Sequence, residues 1–81
     1  MQVKLYPLRG PDKSCSMLAL AIRGVSQLHF GECLILAEGL YARVSTRENP
    51  AILPVRNEQA LAKLEELCYA AGIAIEYVNE D

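Results

Sequence analysis

Hydrophobic positions recur along this chain with two different periods, and the switches between them mark out its elements. Over Asn57–Ala71 the residues Ala60, Leu61, Leu64, Leu67, Cys68 and Ala71 fall at three- and four-residue steps, the spacing of one helical face. Asn57 suits the N-cap, Glu58 complements the positive end of the helix, and Gly72 supplies a left-handed stop. The period then shortens to two. Ile73, Ile75 and Tyr77 alternate with Ala74, Glu76 and Val78, which predicts a closing strand. Near the start, Val3, Leu5 and Pro7 alternate with Lys4, Tyr6 and Leu8. Pro7 has no N–H to give a ladder, so that strand ends there or lies near an edge.

In the middle, Glu32–Ala37 and Leu40–Thr46 flank Glu38-Gly39, which predicts a hairpin with a tight turn. Its second strand alternates Leu40, Ala42 and Val44 with Tyr41, Arg43 and Ser45, whereas the run from Cys33 to Ala37 is apolar on both faces. Thr46–Pro54 reads as a loop, with Ala51–Leu53 as a short edge strand stopped by Pro54. Ser14–Leu28 admits two readings. Met17, Leu18, Ala21, Ile22, Val25 and Leu28 form a helical stripe, while Leu18, Leu20 and Ile22 also alternate as in a strand. The excess of Leu, Ala and Met over β-branched residues favours the helix, against the cost of Gly24.

With that helix the order is β-α-β-β-α-β, the ferredoxin-like split arrangement: an α+β domain with an antiparallel four-stranded sheet under two helices. With a strand there instead, the fold is a strand-rich β meander carrying one C-terminal helix and a final strand. The chain of 81 residues is short enough to be one domain, residues 1–81. Its composition is 52% hydrophobic, more apolar surface than a core of this size readily hides, which points to a homo-oligomer or another protein partner.

Charge narrows the function. The net charge of −2, without a basic block, argues against nucleic acid as a partner, since phosphate contacts need clustered bases. The ends differ: Lys4, Arg9, Lys13 and Arg23 outnumber Asp12 early on, and after Lys63 only Glu65, Glu66, Glu76, Glu80 and Asp81 are charged. Helix-facing strand positions would be Val3, Leu5, Leu40, Val44, Ile73 and Ile75. The opposite face would then carry Lys4, Tyr6, Tyr41, Arg43, Ser45, Ala74, Glu76 and Val78, with Leu34 and Leu36 as one choice of apolar floor. A water-facing antiparallel sheet should be more polar than this, and Tyr and Arg are enriched at interfaces. The expected contact residues are Tyr6, Tyr41, Arg43, Leu34 and Leu36, in a non-enzymatic module that self-associates through a sheet face.

Candidate chemistry is sparse. Cys15, Cys33 and Cys68 show no zinc or disulfide spacing, and His29 is the lone histidine, so neither a metal nor another cofactor is expected. Met17–Ile22 is far too short for a membrane span, and no secretory core opens the sequence, so the expected location is cytoplasmic. Cys33 and Cys68 lie in apolar patterns and read as core, while Glu65 and Glu66 with Lys63 read as a solvated face. Cys15 alone stands where a helix start lowers a thiol's pKa, with Lys13 nearby. Cys15, followed by Gly31-Glu32-Cys33-Leu34-Ile35-Leu36, resembles the cysteine-to-second-strand segment of the TusA-like sulfur carriers over about 22 residues. The family's Cys-Pro-x-Pro stands here as Cys15-Ser16-Met17-Leu18. That resemblance implies a persulfide on Cys15, and a thiol or sulfur carrier is the alternative function.

Overall fold

The computed structural model describes residues 1–9 and 14–78. Gly10, Pro11, Asp12 and Lys13, with the terminal Glu80 and Asp81, fall outside the described residues, and so does the expected help of Lys13 to Cys15. The elements run β1 (Gln2–Pro7), α1 (Cys15–Ser26), α2 (Phe30–Tyr41), β2 (Ala51–Pro54), a 3-10 turn (Glu58–Ala60), α3 (Leu61–Ala71) and β3 (Ile73–Val78). The class is α+β. Three strands in the order β2-β1-β3, all antiparallel, form the sheet.

Register follows the period-two pattern. Val3 lies between Leu53 and Tyr77, and Leu5 between Ala51 and Ile75. This row faces the helices. Val3, Leu5, Ala51, Leu53 and Ile73 join Leu18, Ala19, Ile22 and Val25 of α1, Cys33, Ala37 and Leu40 of α2, and Leu64, Cys68 and Ala71 of α3 in one core. Ser14–Leu28 thus resolves as a helix, since its Leu18, Ile22 and Val25 stripe buries at 3.6-residue spacing. α1 stops where Gln27 turns left-handed (φ 58°) and donates its N–H to the Arg23 carbonyl at 2.8 Å. Ser26 is buried there but satisfied: its hydroxyl donates to the Ile22 carbonyl (2.7 Å) and accepts from the Leu28 N–H (3.3 Å). Asn57 caps the last helical segment as expected, its side chain accepting from the Gln59 N–H at 3.2 Å.

The ferredoxin-like sheet is corrected. Glu32–Ala37 and Leu40–Thr46 are not a hairpin: Phe30–Tyr41 is the helix α2, and among the described residues only Ala51–Pro54 joins β1 on that side, the expected edge strand Ala51–Leu53 running on through Pro54. The reason is burial. A strand apolar on both faces needs both faces covered, and this sheet has helices on one face only. As a helix the same run buries Cys33, Ala37 and Leu40 against the core. Gly39 is not a turn residue. Its carbonyl, near the end of α2, accepts the N–H groups of Val44 (2.9 Å) and Ser45 (3.1 Å), and a Cβ there would stand 3.2 Å from Ser45 Oγ. The glycine lets the chain fold back closely over the helix end.

Gly72 is the single residue joining α3 to β3, at φ 76°. It does two jobs: its carbonyl accepts from the Leu8 N–H at 2.8 Å, and a Cβ on it would run into the Arg9 side chain. Gly72→Ala is therefore expected to cost about 1–2 kcal/mol, because an L side chain is disfavoured in the left-handed region. Urea unfolding followed by circular dichroism checks this, and an unchanged midpoint would contradict it.

Candidate functional site

The described helices pack on the Val3, Leu5 and Leu53 side of the sheet, and among the described residues no helix covers the second face. The register places Gln2 between Pro54 and Val78, Lys4 between Ile52 and Glu76, and Tyr6 beside Ala74 on this face. Tyr6 is only 8% exposed, and its hydroxyl donates to Glu76 Oε1 at 3.1 Å. Desolvation, then the Glu76 carboxylate, hold its phenol above the ordinary range, while Arg47 acts weakly the other way. Tyr6 is thus a neutral donor at neutral pH. Ile52 points outward beside Lys4 and remains 47% exposed.

Around the free side of β3 the surface opens into a groove of about 840 Å³ against α3. Ile73, Ile75 and Tyr77 enter it from the helix side of the sheet, and Tyr6, Ala74 and Glu76 from the open side. α3 contributes Ala62, Glu65, Glu66 and Tyr69. Tyr69 is 88% exposed and Tyr77 45% exposed.

The five expected contact residues do not share a face. Tyr6 is on the open face of the sheet, as expected. Leu34 and Leu36 are half-buried on α2 and pack against the core, as does Tyr41 at its last turn. Arg43 follows in a left-handed turn (φ 59°) and is exposed. Their grouping on a sheet rested on the hairpin and falls with it. Of the other face assignments, Lys4, Ala74, Glu76 and Val78 hold, whereas Ser45 and Val44 lie in the loop after α2.

The residues missed were Ile52, Tyr69 and Tyr77. Tyr69 carried a signal, since it falls off the Leu61, Leu64, Cys68, Ala71 stripe of its helix and so must face outward. Ile52 carried one too, standing between the inward Ala51 and Leu53 of a strand.

Cys15 opens α1 and is half-buried. Burial first, and the Glu38 carboxylate second, push its thiol above the ordinary range. The nucleophile and persulfide carrier is the thiolate, so these surroundings oppose the chemistry that a helix start would otherwise favour. Cys33 and Cys68 are buried. Cys33 Sγ donates to the Leu28 carbonyl at 3.8 Å. Among the described residues no three His, Cys, Asp or Glu side chains are grouped to hold a metal ion, and no helix is long and apolar enough to cross a membrane.

The chain matches no known family model, no curated protein and no solved structure.

Proposed function

We propose that the protein is a small non-enzymatic interaction module that self-associates through the helix-free face of its sheet. The supporting observation is the make-up of the accessible part of that face, where Ile52, Pro54, Ala74 and Val78 outnumber Gln2, Lys4 and Glu76. A sheet face exposed to water normally carries polar residues at these alternate positions. A second copy is the fitting partner because the face holds both signs of charge: a two-fold stack can set Lys4 of one copy against Glu76 of the other while the apolar positions meet between them. A domain of this size also gains most from added burial.

Sedimentation equilibrium of the native protein and of Ile52→Glu tests the reading. Ile52 is an outward edge position, so the variant keeps the core intact and places a charge in the contact. The native protein is expected to show a concentration-dependent mass above the monomer, and the variant to associate about tenfold more weakly or worse. Monomer mass for the native protein up to millimolar concentration would end the proposal.

A further inference from the structure

The two edges of the sheet are built differently. β2 is four residues long, preceded by Pro50 and ending on Pro54, and proline offers no N–H to an incoming strand. That edge is blunted. β3 is six residues long, contains no proline and, among the described residues, pairs on one side only, with β1. Its other side carries backbone N–H and C=O groups along about 20 Å of strand. Unprotected edges of this kind are templates for another strand.

The free edge of β3 runs along the groove against α3. Three tyrosines, Tyr6, Tyr69 and Tyr77, and three carboxylates, Glu65, Glu66 and Glu76, line the groove, and among the described residues no Lys or Arg does. Glu65 and Glu66 stand on the helix side and Glu76 on the open side, so an added strand would meet carboxylates on both of its faces. Aromatic faces beside carboxylates favour cationic side chains twice over, by ion pairing and by cation–π contact.

We propose that this groove binds a basic, extended segment of another protein, which pairs with β3 as a fourth strand and lays Lys or Arg side chains against Glu65, Glu66 and Glu76. Backbone pairing would supply the common part of the affinity and the carboxylates the selectivity, as in other strand-addition sites. A second copy does not fit here. Ile73-Ala74-Ile75-Glu76-Tyr77-Val78 carries no base, and pairing β3 with itself would bring the acidic groups of two copies together. Nucleic acid is disfavoured by the same charge. The edge site shares Glu76 with the open face but makes a different contact, and dilute protein, below any self-association, isolates it.

The test is a titration of the isotope-labelled full chain with the peptide VKKVKKV at low salt, read by amide shifts and amide hydrogen exchange. VEEVEEV and a VKKVKKV carrying N-methyl groups on alternate residues serve as controls. Saturable shifts centred on residues 73–78, with slowed exchange of their amides, are expected for VKKVKKV alone. The combined Glu65→Gln, Glu66→Gln, Glu76→Gln variant should bind about tenfold more weakly, the sum of three exposed pairs. Equal binding of the acidic peptide or of the N-methylated peptide would overturn the proposal, the latter because mere charge attraction needs no free backbone. Absence of any shift on β3 would overturn it as well.

Discussion

Leu40→Ala is expected to destabilise the protein by about 2–5 kcal/mol, while Ile35→Ala changes stability by about 0.5 kcal/mol or less. Both residues lie on α2, yet Leu40 is fully buried in the core and Ile35 is 69% exposed. Truncating Leu40 removes buried methyl groups and leaves a cavity that its neighbours fill only in part. Truncating Ile35 removes little buried surface and puts the best helix former in place of a β-branched residue. A domain of this kind holds only about 5–15 kcal/mol in total, so the first change consumes much of its stability. Urea unfolding of the two variants checks the pair. Similar losses at both positions would mean that residues 30–41 do not present a single inward helical face.

That contrast is also where reading the sequence succeeded and failed. The stripes of α1 and α3 and the alternation of β1 and β3 were legible because each turns one apolar row into the core, so the pattern records the geometry. α2 erases that record. Leu34, Ile35 and Leu36 surround its inward Cys33, Ala37 and Leu40, and a segment apolar on all sides has no phase. Glu38-Gly39 then supplied a plausible turn, and the alternation from Leu40 to Ser45 supplied a strand that does not exist. Only Leu40 of that series is buried, and Val44 is exposed. Four of the five expected contact residues, Tyr41, Arg43, Leu34 and Leu36, went with the error. Tyr6 and Glu76 were placed on the open face from alternation alone, whereas Tyr41 and Arg43 were carried there by the imagined hairpin. The bond from Tyr6 to Glu76, and the meeting of Tyr69 with β3 across a groove, depend on packing angles that no local pattern encodes.

A second large effect is expected in alkali. Burial, with a further push from Glu65, raises the Cys68 thiol to about 12. A raised pKa means the folded protein holds its proton longer than the unfolded chain does. The stabilisation is therefore complete below the unfolded value near pH 9 and is lost as pH climbs toward about 12. At about 1.4 kcal/mol per pH unit, the loss from this thiol is on the order of 4 kcal/mol over the window. Tyr6 and Cys15, both shifted upward, act in the same sense. Cys68→Ala should flatten the decline measured by urea unfolding at stepped pH, while costing some packing at neutral pH. Parallel stability profiles for the native protein and the variant from pH 9 to 12 would refute this.

The central position of β1 bears on how the chain comes to be folded during synthesis. β1 leaves the ribosome before either neighbour exists: its partners begin at Ala51 and at Ile73, and the pairing of Gln2 with Val78 waits for nearly the whole described chain. α1 and α2 are adjacent along the chain and in contact, so they can associate while the sheet is still impossible. In that interval Val3, Leu5 and Tyr6 travel as an unpaired apolar segment, open to capture by other nascent chains or by a chaperone. Sheet closure over such distances is also slow relative to helix formation. The time between the emergence of β1 and that of β3 is then the period of greatest risk for this protein in a cell, and the rate of translation through the intervening residues sets its length.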